Sequence, residues 1–258
     1  MNMLKLEKVT KRFGGLIAVN DVSMELFEGE LVGLIGPNGA GKTTIFNLVT
    51  GFLRPDSGRI YFQGQDITGK KPHEITALGI ARTFQNIKLF YRMSVLDNVR
   101  VACHLRLRSN VFSAVLGLSK YSAQERQMTH ESLRLLEAVG LLDLKDEKAS
   151  ALPYGHQRKL EIARALATKP RLLLLDEPAA GMNPEETSEL MQFIKRIRKE
   201  FDLTILLIEH DMKVVMGICE RIIVLDHGSV IAVGTPEEVR NNPDVIRAYL
   251  GSGAYARG

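Results

Sequence analysis

The run LVGLIGPNGAGKTTIFNLVTG, Leu31 to Gly51, decides the fold. Leu31–Ile35 reads as a short strand buried on both faces, a glycine-rich turn follows at once, and TTIFNLVT then has the character of a short helix stopped by Gly51. Strand, glycine turn and helix in this order wrap backbone N–H groups and the positive end of a helix around an anion, and glycine lets the main chain come close without a Cβ clash. The spacing of Gly36, Gly41, Lys42 and Thr43 suits a nucleoside triphosphate, with Lys42 on the β- and γ-phosphates and the Thr43 hydroxyl on Mg²⁺. Gly36, Pro37, Asn38, Gly39, Ala40, Gly41, Lys42, Thr43 and Thr44 are therefore the expected nucleotide-binding residues. An ordinary tight turn is the bland alternative, and the flanking strand and helix argue against it. Kinases, GTPases, helicases and transporters share this loop, so the rest of the chain must choose among them.

Outward from the loop, short aliphatic runs alternate with amphipathic stretches of helical length, which predicts an α/β fold around a mixed, largely parallel sheet. Arg171–Leu175, Thr204–Ile208 and Ile222–Leu225 join Leu31–Ile35 in that sheet, while Leu4–Val9 and Val22–Phe27 alternate apolar and polar residues as a half-buried antiparallel layer does. The run RLLLLDEP ends a buried strand with two adjacent carboxylates. Strand alternation would turn Asp176 toward a metal and Glu177 toward an attacking water, the two tasks phosphoryl transfer requires. Taken without the phosphate loop, a DE pair at a strand end is as often a solvated loop charge.

Between Ser94 and Thr168 strand signals give way to helical ones, as in HESLRLLEAVGLLDL and HQRKLEIARALATKP. This predicts a helical insertion over 94–168 in a core made of 1–93 and 169–258. Leu133, Leu136 and Val139 should share a buried face, Gly140 should stop that helix, and Pro170 should bound the next. From Cys103 to Tyr121 a basic stretch with an apolar patch, VFSAVLGL, is expected to pack inside the insertion rather than on lipid. Beyond Gly228 the pattern suits a hairpin and closing helices, too short for a separate regulatory domain.

The 258 residues suffice for a core without staples, and the two cysteines, Cys103 and Cys219, match no metal or redox spacing, so a reduced cytosolic compartment is expected. MNMLKLEKVTKRF lacks the apolar core of a secretion signal, and no apolar run approaches the roughly 20 residues of a membrane span, so any membrane role must come through a partner. A formal net charge of +4 would permit weak attraction to nucleic acid or anionic lipid. Charges of both signs are interspersed along the chain, however, and no nucleic-acid partner is expected.

Read in register, the chain resembles the ATP-binding subunits of ABC transporters over almost its whole length. An aromatic in KRFGG, then GPNGAGKT, a glutamine in RTFQN, a signature segment, LLLLDEP and a histidine in LIEHD follow in that family's order. Singly, Phe13 reads as a core aromatic, Gln85 as a surface glutamine and His210 as a satisfied histidine. The resemblance implies that Phe13 stacks on adenine, with Ala18 also on the nucleotide, that Gln85 touches Mg²⁺ or the attacking water and relays nucleotide state to a membrane partner, and that His210 contacts the γ-phosphate. It also implies a single ATPase domain over 1–258, ATP and Mg²⁺ as cofactors, and two subunits closing head to tail so that each ATP lies between one phosphate loop and the other subunit's signature segment.

Two departures stand out. The family's LSGGQ is here LPYGH, Leu152 to His156, so Pro153 replaces a serine and Tyr154 a glycine. Contact across the dimer would then fall to Gly155, to backbone around His156 and to the following helix's amides. In AAGMN, Asn183 stands where the family usually has an aspartate, and an amide keeps the hydrogen bonds but not the charge. Both suggest a site tuned by an unlike partner ATPase. FGGLIAVNDVS, GIARTFQNIKLF and VIRAYLG resemble the ATPases of bacterial branched-chain amino acid uptake systems. That implies integral membrane permease subunits, a second ATPase in a homo- or heterodimer, a periplasmic binding protein, and a peripheral place on the cytoplasmic face of the inner membrane. An ATPase of an export or lipopolysaccharide-extraction system and a non-transport ABC protein acting on ribosomes or DNA are the alternatives; a small-molecule kinase is weaker, because nothing resembles a second substrate pocket.

Overall fold

The computed structural model describes residues 1–103 and 119–251. The apolar patch Val111–Leu118 lies outside them. The chain forms two compact units, residues 1–85 with 171–258 and residues 86–170.

In the first unit, β1 (Asn2–Phe13), β2 (Leu16–Phe27), β4 (Ser57–Phe62) and β5 (Gln65–Asp66) form a four-stranded antiparallel sheet in the order β2-β1-β4-β5. A six-stranded sheet runs β10-β9-β3-β8-β7-β6, from β3 (Leu31–Ile35), β6 (Ile80–Arg82), β7 (Leu172–Asp176), β8 (Thr204–Ile208), β9 (Arg221–Asp226) and β10 (Ser229–Gly234). All its pairs are parallel except the β9–β10 hairpin. The expected α/β class is therefore the one observed. β1 and β2 are longer than the alternating runs suggested, because their outer halves pair as a hairpin in which Phe13 faces Leu16.

Leu172, Leu173, Leu174 and Leu175 are all fully buried, as are β3 and β8, which explains why these strands show continuous apolar runs. Each such leucine contributes about 1.5–3 kcal/mol of burial. Helices α1 (Lys42–Val49), α2 (Pro72–Leu78), α6 (Pro184–Glu200), α7 (Met212–Ile218), α8 (Pro236–Arg240) and α9 (Pro243–Gly251) complete the unit. The C-terminal ends of β3, β6, β7, β8 and β9 come to one edge of the sheet, the edge at which parallel α/β sheets bind ligands.

The second unit holds α3 (Val95–Cys103), α4 (Ser119–Ala138) and α5 (Tyr154–Ala167), with no strand among its described residues beyond one bridge, Ser94 to Lys148. The buried face of α4 is Met128, Ser132, Leu135 and Leu136, and Val139 just past its end is buried as expected, whereas Leu133 is only half-buried. This corrects the expected face by one position. Ser132 lies 3.6 Å from the Cys103 sulfur, a polar contact that apolar counting passes over, and the i, i+3, i+4, i+7 spacing then selects Leu135.

Candidate functional site: a nucleotide loop with a carboxylate cluster

Between β3 and α1 the chain turns through Gly36 and Gly41, each at positive φ. A Cβ on Gly36 would lie 2.1 Å from the Leu225 carbonyl oxygen, and one on Gly41 would lie 2.4 Å from that of Ala18, so both positions require glycine for space and for conformation. Ala18 thus meets the loop through its backbone. Asn38, Gly39 and Thr43 are exposed, while Ala40 and Lys42 are buried. The Lys42 ammonium donates to the carbonyl oxygens of Gly36 at 2.7 Å and Pro37 at 2.9 Å, folding back over its own loop. Burial pulls its pKa below the ordinary lysine range, against the pull of Glu177 and Asp176. Phe13 is about half exposed on the β1–β2 hairpin, with the Lys11 ammonium 5.7 Å from its ring.

Asp176 and Glu177 part company just past β7. Asp176 turns inward, where one carboxylate oxygen accepts from Arg82 at 2.7 Å, and both side chains of the pair are 6% exposed. Glu177 does not continue the strand. Its φ is +45°, and its N–H donates to the Ile208 carbonyl at 2.9 Å. The two carboxylates are therefore separated by a left-handed turn and not by strand alternation as expected. A non-glycine residue held there carries about 1–3 kcal/mol of strain, a cost that persists only where surrounding bonds enforce it.

Gln85 and His210 converge on one oxygen of Glu177: the Gln85 amide donates to Oε2 at 2.8 Å, and His210 Nδ1 lies 3.6 Å from the same atom. These residues are far apart in sequence and come from the ends of β6, β7 and β8. The donors on this edge, the exposed Thr43 hydroxyl and the second oxygen of Asp176, are hard oxygens. Among the described residues no cluster of His, Cys, Asp and Glu could cage a metal unaided. That chemistry fits Mg²⁺, which uses few protein ligands and completes its shell with phosphate oxygens and water.

Three participants escaped the sequence reading. Arg82 places its guanidinium on Asp176, on the Asn47 side-chain oxygen at 2.6 Å, and over the Phe46 and Phe84 rings at 5.4 and 5.0 Å. Asn47 lies one turn beyond Thr43 on α1, so Arg82 joins the nucleotide helix to the acidic strand. Glu209, 1% exposed, accepts from the backbone N–H of Ala179 at 2.9 Å. Arg82 and Glu209 each had a signal, a charge within or directly after an apolar strand run, GIART and LLIEHD, whereas Asn47 had none.

In the second unit α5 begins at Tyr154, with Pro153 in the cap position and no side-chain cap bond. A Cβ on Gly155 would meet nothing within 4 Å, so the helix start is open there. Tyr154 is exposed and its hydroxyl accepts from Arg158 at 3.3 Å, while His156 Nδ1 is buried without a hydrogen-bond partner. In the first unit, Asn183 caps α6: its side-chain oxygen accepts from the N–H groups of Glu185 and Glu186, and Glu186 caps back onto the Asn183 N–H.

Sheet order, phosphate loop and acidic strand end together define a P-loop nucleotide-binding α/β protein. The chain belongs to the ABC transporter family, whose model matches residues 19–180; a second model, described as branched-chain amino acid ATP-binding cassette transporter, matches residues 229–255. The chain is 49% identical to the high-affinity branched-chain amino acid transport ATP-binding protein LivG of Escherichia coli strain K12, over 96% of this chain and 98% of that one. It is 47% identical to the protein BraF of Pseudomonas aeruginosa, which carries the same description, over 96% and 98%. An ATP-binding cassette of an ABC transporter, crystallised in its ADP conformation, superposes with a TM-score of 0.85 at 33% identity, covering 97% of this chain and 99% of that one. No helix among the described residues is long and apolar enough to cross a membrane.

Proposed function

We propose that the chain is the ATP-hydrolysing subunit of an ABC importer of branched-chain amino acids, bound to membrane permease subunits at the cytoplasmic face of the inner membrane. The observation that supports it best is the convergence of Gln85 and His210 on Glu177 beside the phosphate loop, in a chain about half identical to ATPases described for that transport. ATP binds along Gly36–Thr44, with adenine against Phe13 and the main chain of Ala18 beside the loop. Lys42 leaves the carbonyls it caps and pairs with the β- and γ-phosphates. Thr43, Asp176 and Gln85 would hold Mg²⁺, which when bound offsets phosphate charge.

Glu177 is the general base for the attacking water, and its left-handed turn keeps it off the Asp176 side of the strand. His210 and Gln85 orient that carboxylate and the γ-phosphate. A second ATPase subunit closes on the site, presenting the open helix start at Pro153, Tyr154, Gly155 and His156 to the nucleotide, and Asn183 keeps its amide N–H₂ for the partner while its oxygen caps α6. Closure is favoured by ATP because the γ-phosphate is held from both sides, and hydrolysis reopens the pair and resets the permease. The cargo never touches this chain, and a periplasmic binding protein would deliver it to the permease.

The test is purification of the assembly by a tag on this chain from its native membrane. Two permease subunits, a second ATPase and ATP hydrolysis stimulated by an amino-acid-loaded binding protein support the proposal. An export complex, ribosomes or DNA in their place would overturn the import reading.

A further inference from the structure

Glu209 lies between β8 and His210 and is 1% exposed. One of its carboxylate oxygens accepts from the Ala179 N–H at 2.9 Å, in the loop after β7, and the other from the His210 N–H at 3.2 Å, in the loop after β8. The Asp211 N–H also contributes. No cation among the described residues forms an ion pair with it. The titratable groups facing it are His210 and Cys219, whose thiol is pushed up to about 12, chiefly by burial and partly by Glu209 itself. Burial pushes the Glu209 carboxyl above the usual carboxylate range.

A buried carboxylate satisfied by backbone N–H groups and no cation is a costly choice for a position that a leucine could fill. What it supplies that an apolar residue cannot is a single rigid group bonded to two loops. The loop after β7 runs from Glu177 through Ala179 to Asn183, and the loop after β8 bears His210.

We propose that Glu209 is a positioning residue that straps these two loops together, so that pressure from a second ATPase subunit on Ala179–Asn183 fixes His210 against Glu177. This rests on the functional reading above and adds a route by which subunit closure reaches the hydrolytic centre. The bonds of the Glu209 carboxylate go to backbone N–H groups. It acts through the His210 backbone, and its contribution should vanish when the His210 imidazole is absent.

Glu209→Gln keeps the volume and one acceptor oxygen but sets an N–H₂ group against one of the two loops. In the intact transporter it should lower kcat about 10- to 100-fold with KM for ATP changed less than about threefold, as expected of a lost transition-state contact. In the His210→Ala background the same change should cost less than about threefold. Equal losses in both backgrounds overturn the proposal. Hydrogen exchange read by mass spectrometry gives a second, activity-independent measure on the purified variant. Protection should fall in segment 178–183 or 209–213 while segment 36–50 is unchanged; unchanged protection everywhere, or a global loss, overturns it. A wild-type assembly that hydrolyses no ATP would overturn the functional reading instead, leaving the exchange result to judge the strap.

Discussion

Among the described residues Arg82 is the one cation that forms an ion pair with Asp176, a carboxylate itself 6% exposed, and replacing it by methionine removes that pair. Stranding one member of a buried ion pair costs about 3–5 kcal/mol. The guanidinium also lies 5.4 and 5.0 Å from the Phe46 and Phe84 rings, contacts worth about 0.5–2 kcal/mol each when desolvated. A methionine side chain recovers part of the packing and sulfur–aromatic contact, about 1–2 kcal/mol. The net loss is about 2–8 kcal/mol, and even its lower bound lowers Tm by about 4–8 °C for a chain of this size. Thermal denaturation of the nucleotide-free chain, followed by circular dichroism, measures it. Asp176→Leu in the Arg82→Met background leaves two apolar side chains facing each other, so the double variant should be more stable than the summed single losses by about 2 kcal/mol or more. An Arg82→Met loss below about 1 kcal/mol, or strictly additive losses, would refute the assignment of Arg82 as the charge that holds the Asp176 carboxylate in place.

Glu177→Gln should retain ATP binding within a fewfold yet slow hydrolysis about 10²- to 10⁴-fold, trapping the closed dimer on size exclusion; equal loss of binding would contradict its role as base. Lys42→Ala should weaken ATP binding itself by about 10- to 100-fold, in line with about 1.5–3 kcal/mol for a charge-assisted hydrogen bond, measured with a fluorescent nucleotide. Pro153→Ser places a hydroxyl at a helix start that has no side-chain cap, so it should stabilise the chain by about 0.5–2 kcal/mol and strengthen ATP-driven dimerisation. Because burial raises the Glu209 carboxyl, the folded chain holds that proton to higher pH than the unfolded chain does. Its cost to the fold is absent below the unfolded value and present above the folded one. The stability of wild type relative to Glu209→Gln should therefore fall as pH rises from the acid range to neutral, read as urea midpoints.

The phosphate loop was legible because its chemistry is local. Gly36 and Gly41 are required by backbone clashes, Lys42 and Thr43 are placed by the strand and helix that flank them, and LVGLI announces its burial by being apolar throughout. The same holds for Thr204–Ile208, whose bounds match the apolar run, and for the acidic pair at the end of β7. The short strands β4, β5 and β6 were not legible, because Ser57–Phe62, Gln65–Asp66 and Ile80–Arg82 gain their strand character from partners in β1, β4 and β7 respectively. Propensity is a weak guide where pairing is supplied from elsewhere in the chain.

The sequence by itself determined the class of fold, the nucleotide loop and the acidic pair, since each depends on neighbours within a few positions, whereas Gln85 and His210 were offered only by the order of motifs that the family resemblance supplies. Tertiary structure alone decided that Gln85, Glu177 and His210 meet at one oxygen, because β6, β7 and β8 are brought side by side by pairing across about a hundred residues of intervening chain. It also decided the partners of Arg82 and Glu209. A charged residue in an apolar run can be seen in the sequence, but which backbone amide or carboxylate satisfies it depends on what packs above and beside the strand, and that is settled only when the sheet is assembled.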